Sequence, residues 1–329
     1  MTNTPPPRVL CLRPKVDFDK VDVAVPECLD VAYASPQAED LPTLVAEAQA
    51  LVIPAVGPEL PATLFQASSV QLVQVTGAGV DRLDRDGMQR LGIPVANVPG
   101  GSNAAVAEYV VSTSLILLRR LAWAGSEIGQ ANYEECRKRL IAHLPPGLGG
   151  LTVGIVGLGT IGLAVAEAFQ RFGSKIVYHD PALADTTAAD AMGATRLPLD
   201  DVLRTSDVVS LHVPLVPQTQ NLIDASALAK MKPQAVLINA ARGGVVDEAA
   251  LVAALHDDRL AGAAVDVYSQ EPPPPENPLL AALDLQGKLI LTPHTAGITR
   301  QAWATLFDLA WNNVEAVLTH GGQPQFRVY

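Results

Sequence analysis

Three side chains in the second half of the chain, Arg242, Glu271 and His294, are of types that together could bind an acid and move a proton. Histidine ordinarily titrates near neutral pH, so it suits general acid–base work. A nearby carboxylate would orient the imidazole and stabilise its charged form. The planar arginine fork meets a carboxylate bidentately. With a hydride source, these are the groups that reducing a 2-oxo acid requires. Each also has a plain structural use. Arg242 stands beside two glycines, as a solvated loop residue would, and Glu271 precedes prolines as surface charge often does. His143, His179, His212, His256 and His320 show that a histidine alone says little.

Position sets the three apart, because each follows a short apolar run expected to be a strand. Ala235–Asn239 precedes Arg242, Gly262–Asp266 precedes Glu271, and Leu289–Leu291 precedes His294. Ligands of open α/β sheets bind outside the carboxyl ends of the strands, so the three are expected to share one crevice. The same alternation of β-branched runs and Ala/Leu-rich stretches covers the chain. Strands are expected at Arg8–Leu12, Ala50–Ile53, Gln71–Val75, Pro94–Asn97, Thr152–Val156, Lys175–His179 and Val208–His212. Helices are expected at Glu59–Ala67, Ala104 to about Arg120, Ile161–Phe172, Ala225–Met231, Asp247–His256 and Arg300–Leu318. The mixed stretch Gly125–Gly149 carries no assigned element and ends in a Pro/Gly cluster. The fold class is α/β, with parallel sheets covered on both faces.

Composition narrows the partners. A chain of 329 residues is long for one core, so two domains are expected. Apolar residues make up 49% and charged residues 17%, which suits packed cores rather than disorder. A formal net charge of −11 argues against nucleic acid and membrane surfaces as partners. Cys11, Cys28 and Cys136 lie far apart without CxxC spacing, so neither a metal site nor a disulfide framework is expected. No leader-like segment and no run of roughly 20 apolar residues is visible, which makes the cytoplasm the expected location.

The hydride source has its own motif. The strand Thr152–Val156 runs into Gly157-Leu-Gly159-Thr-Ile-Gly162, and a helix follows at once. Gly157 would permit the tight turn, Gly159 the approach of a pyrophosphate, and Gly162 close helix–strand packing. The helix N-terminus at Thr160 and Ile161 would face the diphosphate. Asp180 ends the next strand, where a carboxylate accepts from ribose hydroxyls and repels a 2′-phosphate, favouring NAD over NADP. The alternative is that Asp180 only opens an Asp-Pro turn.

Taken in order, the segments VGIVGLGTIG, LHVPLVPQT, NAARGGVVDE, DVYSQEP and TPHTAG resemble the D-isomer-specific 2-hydroxyacid dehydrogenase family, as do GAGVD at Gly77–Asp81 and VAE at Val106–Glu108. The resemblance covers about residues 70 to 300. It implies that Arg242 grips the substrate carboxylate, His294 is the acid–base and Glu271 raises the pKa of His294. It implies cofactor contacts at Val106, His212, Val213, Pro214, Ala240 and Asp266, with Asp266 on the nicotinamide amide. Substrate contacts would come from Ala55, Val56, Ala78 and Gly79 as well as Arg242, and the product alcohol would have the R configuration. The architecture it implies is a Rossmann cofactor domain, residues 104–296, inserted into a smaller flavodoxin-like substrate domain, residues 1–103 and 297–329. Hinges near Ala104 and Gly297 and a twofold homodimer complete the expectation.

Substrate identity is thinner. In related phosphoglycerate dehydrogenases a cation reads the phosphate in the loop after the strand at Ala50–Ile53. Here that loop is Pro54-Ala-Val-Gly57, so a non-phosphorylated acid is expected: glyoxylate, hydroxypyruvate or an apolar 2-oxo acid. Two other readings stay open on the same frame. One is a phosphite dehydrogenase, although Thr76 stands where a lysine would be needed. The other is an NAD-sensing corepressor-like binding protein. Formate dehydrogenases carry Gln where this chain has Glu271.

Overall fold

The structure is a computed structural model that describes residues 5–282, 284, 285 and 287–329. Contacts divide it into two compact units, residues 1–102 with 298–329, and residues 103–297.

The first unit holds five strands: β1 Arg8–Cys11, β2 Asp30–Tyr33, β3 Ala50–Ile53, β4 Leu72–Val75 and β5 Val95–Ala96. All pair in parallel in the order β2-β1-β3-β4-β5. The continuous apolar runs follow from burial on both faces. In β3, Leu51 and Ile53 enter one core while Ala50 and Val52 enter the other. The helix Arg300–His320 supplies much of the second core. It buries Ala302, Leu306, Phe307, Ala310, Trp311 and Val314, an apolar stripe at helical spacing. The Thr299 side chain accepts from Ala302 N at its start, and Gly321 ends it at a φ of 62°.

The second unit holds seven strands: β6 Thr152–Val156, β7 Lys175–His179, β8 Thr195–Arg196, β9 Val208–Leu211, β10 Val236–Asn239, β11 Gly262–Val265 and β12 Leu289–Leu291. They are parallel in the order β12-β11-β10-β9-β6-β7-β8. Strand order runs one way from β6 to β8 and the other way from β9 to β12. The crevice between β6 and β9 is therefore where a dinucleotide would be received.

Several elements differ from the sequence expectation. The edge strands β2 and β8 were not anticipated, since an edge carries less apolar patterning than a central strand. The helix expected at Glu59–Ala67 is a single 3-10 turn, Ala62–Phe65, hemmed in by Pro58 and Pro61. The unassigned stretch contains two helices, Leu121–Gly129 and Tyr133–His143. The first of them buries no residue. No helix among the described residues is long and apolar enough to cross a membrane.

Candidate active site

His294 and Glu271 meet at the carboxyl edge of the second sheet. His294 Nδ1 lies 2.8 Å from Glu271 Oε2. A carboxylate can only accept, so Nδ1 carries the proton of this bond and Nε2 is left for other partners. The other carboxylate oxygen, Oε1, accepts from Tyr268 N at 3.1 Å. Burial on its own would raise the Glu271 carboxyl. The hydrogen bonds from His294 and Tyr268, with the charges of His294 and Arg242, outweigh burial and hold it below its ordinary range. Glu271 is thus ionised at neutral pH.

The backbone under His294 is unusual. Its φ is +53°, a left-handed conformation uncommon outside glycine. His294 N donates to Asp266 O at 2.7 Å. The Asp266 side chain, 1% exposed, accepts from Thr292 Oγ1 at 2.6 Å and from Thr295 N and Ala296 N at 2.8 Å each. Three of its roughly four acceptor positions are thus spent on the loop that bears His294. Sequence reasoning assigned Asp266 a ligand contact and missed this structural load.

Arg242 follows β10 in a loop folded by Asn239. Asn239 Nδ2 donates to Arg242 O at 3.1 Å and Asn239 Oδ1 accepts from Ala241 N at 3.2 Å. A Cβ at Gly243 would overlap the Tyr268 carbonyl, so glycine there lets this loop press against the loop carrying Glu271. That approach puts the Arg242 charge within electrostatic reach of Glu271. Glu248 secures the other side of the Glu271 loop, accepting from Ser269 N and Asn277 Nδ2 at 2.7 Å each and from Ser269 Oγ at 2.9 Å. The structure therefore brings Arg242, Glu271 and His294 to one place, by loops after β10, β11 and β12.

The cofactor half lies after β6 and β9. Gly157 has a φ of +92°, and a Cβ there would stand 2.5 Å from His212 O and 2.9 Å from Val213 Cγ1. Glycine is required on both counts. A Cβ on Gly162 would strike Gly157 O. Gly159 faces open space. It is the N-cap of the helix Thr160–Arg171 and provides no side-chain cap hydrogen bond to the first-turn N–H groups. An uncapped N-terminus beyond a glycine turn fits a diphosphate. Asp180 Oδ2 accepts from Leu158 N at 2.8 Å, and Oδ1 from Ala182 N and Leu183 N at 2.9 and 3.0 Å. It closes its own turn and also ties that turn to the glycine loop. Arg196, on β8, donates to Asp180 O at 2.5 Å; sequence distance hid this cation. Burial pushes His212 down to about 4, and its Nε2 lies 2.9 Å from Ser210 Oγ. Pro214 is exposed and Ala240 half-buried. Val106 is 5% exposed and packs in the core, leaving little surface for a ligand.

In the first unit, Ala55 and Val56 follow β3, and Ala78 and Gly79 follow β4. The loop after β4 is pinned by Val98 N to Gly77 O at 2.9 Å and by Asn97 Nδ2 to Ala78 O at 2.7 Å. The loop after β3 has no cation of its own, but Arg82 lies beneath it. Arg82 is 5% exposed and donates to Pro54 O and Pro58 O at 2.8 Å each. Its guanidinium sits 3.0 Å from where a Gly57 side chain would begin. The separation of 24 to 28 residues gave no sequence signal for this brace.

Comparison with known proteins agrees with the geometry. Residues 111–296 match the profile described as D-isomer specific 2-hydroxyacid dehydrogenase, NAD binding domain. The chain is 36% identical over 264 residues to the glycerate dehydrogenase of Methylorubrum extorquens, covering 80% of each. It is 36% identical over 236 residues to the D-3-phosphoglycerate dehydrogenase of Archaeoglobus fulgidus, where the match takes 72% of this chain but spans only 43% of that relative. Among solved structures, an NADPH-dependent glyoxylate/hydroxypyruvate reductase from Sinorhizobium meliloti superposes with a TM-score of 0.79 at 29% identity, covering 98% of this chain and 97% of that one.

Proposed function

The chain belongs to the D-isomer-specific 2-hydroxyacid dehydrogenase family, and from that premise we propose that it is an NAD-dependent dehydrogenase of a small, non-phosphorylated 2-oxo or 2-hydroxy acid. The observation that carries this reading is the His294–Glu271 bond of 2.8 Å, with Arg242 close enough to act on the same carboxylate. A dinucleotide held at Gly157–Gly162 and Asp180 supplies the hydride when bound. His294, its Nδ1 committed to Glu271, presents Nε2 to the carbonyl oxygen. It gives that oxygen a proton on reduction and takes one from the alcohol on oxidation. Arg242 binds the substrate carboxylate and polarises the carbonyl. Glu271 keeps the imidazole in one tautomer and balances its charge. Ala55, Val56, Ala78 and Gly79 are assigned to substrate contacts, and His212, Val213, Pro214, Ala240 and Asp266 to the cofactor, while the buried Val106 is assigned to the core.

Glyoxylate, hydroxypyruvate and apolar 2-oxo acids are the proposed substrates. Relatives named glycerate dehydrogenase and glyoxylate reductase support that class, others are named D-3-phosphoglycerate dehydrogenase, and these names do not favour the phosphite or corepressor-like readings. The non-phosphorylated assignment rests on the loop at residues 54–57, which carries no cation; of the Arg82 donors behind it, two are held by the carbonyls of Pro54 and Pro58, while Nη2 has no hydrogen-bond partner among the described residues. A panel of 2-oxo acids read by NADH oxidation tests this. Turnover is expected for at least one of these acids, with the reverse reaction on 3-phosphoglycerate slower than on glycerate. Silence across the panel, or preference for 3-phosphoglycerate, would overturn the assignment.

The same reading includes a twofold homodimer. The helices Leu121–Gly129 and Tyr133–His143 expose Leu121, Ile128, Tyr133 and Ile141, and Leu144 just beyond them is 77% exposed. So much apolar surface on one stretch suits a partner copy. Sedimentation should return twice the chain mass, and Ile141→Glu should shift it toward the monomer. A monomeric wild type would remove the dimer from the reading.

A further inference from the structure

Thr292 has no part in the reading above, yet the loop bearing His294 is tied down through it. Its N–H donates to Val265 O at 3.0 Å. Its carbonyl accepts from Tyr268 OH and from His294 N, each at 3.1 Å. Its Oγ1 lies 2.6 Å from Asp266 Oδ1 and 2.7 Å from Tyr109 OH.

Proton counting gives this cluster a direction. A hydroxyl carries one proton. Asp266 already accepts from Thr295 N and Ala296 N, and it accepts from Thr292 too. The Thr292 proton is thereby spent, so Tyr109 must donate its own to Thr292 Oγ1. Burial lifts the Tyr109 phenol to about 12, consistent with a retained proton. The chain therefore runs Tyr109 to Thr292 to Asp266. Asp266 then holds the backbone on the far side of His294, and its carbonyl holds His294 N. His294 sits between these ties at a φ of +53°, a conformation uncommon outside glycine.

We propose that Thr292, with Tyr109 behind it, is the positioning residue that fixes the His294 backbone and so aims the imidazole at Glu271 and at the substrate. The proposal rests on the assignment of His294 as the acid–base. It explains why a threonine stands beside a buried carboxylate: a valine has the same shape but would leave Asp266 one donor short.

The test uses the full chain with Thr292→Val, Thr292→Ser, Tyr109→Phe and the double variant Tyr109→Phe/Thr292→Val. Four quantities are read: kcat and KM on the best acid of the panel, NADH affinity by fluorescence, and the imidazole NMR signals of the protein without cofactor. The His294 signal is assigned by its loss in His294→Ala. Thr292→Val should lower kcat about tenfold, with KM and NADH affinity within about threefold, and should move the His294 signal. Thr292→Ser should restore both kcat, to within about twofold, and the signal. Tyr109→Phe should lower kcat about threefold, and the double variant should be no worse than Thr292→Val, since both act on one chain. Unchanged kcat in Thr292→Val, no rescue by serine, or losses that multiply in the double variant would overturn the proposal. If Thr292→Val does not fold, Tyr109→Phe decides, by a moved or an unmoved signal. If the wild type turns over none of the acids, the functional reading falls. The His294 signal still decides the positioning: unmoved in Thr292→Val, it overturns the proposal as well.

Discussion

Replacing His294 with alanine is expected to lower kcat about a thousandfold while leaving NADH affinity within about twofold. The size follows from the role: without the imidazole, water must protonate the carbonyl oxygen, and positioned acid–base groups contribute roughly a hundredfold to ten-thousandfold. The separation of effects follows from place, since His294 is tied to Glu271 and Asp266 and not to the glycine turn at Gly157. Glu271→Gln should fall between wild type and His294→Ala. It keeps an oxygen for Nδ1 but loses the charge. The pH dependence has a definite sign. The Glu271 carboxyl is held below its ordinary value of 4.5, so its support is present above that pH. That support fades only as pH falls through the lowered value. Wild-type activity lost already near pH 6 must therefore come from another group. A His294→Ala enzyme with more than a tenth of wild-type kcat would remove His294 from the chemistry.

The site was legible in the sequence to the extent that its chemistry follows strands. Arg242, Glu271 and His294 each stand a few residues past a buried run, and runs such as Val236–Asn239 and Gly262–Val265 are apolar because both faces of the sheet are covered. Glycine spacing announced the turn at Gly157 for a similar reason: the steric demand is local. What stayed hidden depends on distant partners. Nothing near Thr292 in the sequence signals Tyr109, which lies 183 residues away. Nothing near Pro54 signals the Arg82 brace. The φ of +53° at His294 also leaves no mark, because the residue that best fits such a conformation, glycine, cannot do acid–base work. Asp266, rather than the local sequence, holds the backbone on both sides of His294. The helix Leu121–Gly129 is nine residues long and leaves no residue fully buried, so its short apolar pattern has no buried core of its own behind it.

Removing the charge of Asp180 is expected to shift the NADH/NADPH ratio toward NADPH by about tenfold to a hundredfold. A charge-assisted hydrogen bond is worth roughly 1.5–3 kcal/mol, and each 1.4 kcal/mol is about a factor of ten. Asp180→Ala would also strip acceptors from Leu158 N, Ala182 N and Leu183 N, loosening the glycine turn itself. Asp180→Asn is the sharper variant, since it keeps an oxygen for those donors and loses only the charge. Weaker NADH binding in Asn would report the ribose contact, and stronger NADPH binding would report relieved repulsion of the 2′-phosphate. Arg196 then becomes decisive. Its guanidinium already reaches Asp180 O, so with the carboxylate neutralised it is the nearby cation placed to receive a phosphate. Arg196→Ala in the Asp180→Asn background should cancel the NADPH gain and leave NADH unchanged. An unaltered NADH/NADPH ratio in Asp180→Asn would mean that the carboxylate serves its turn alone and that selection lies elsewhere in the crevice.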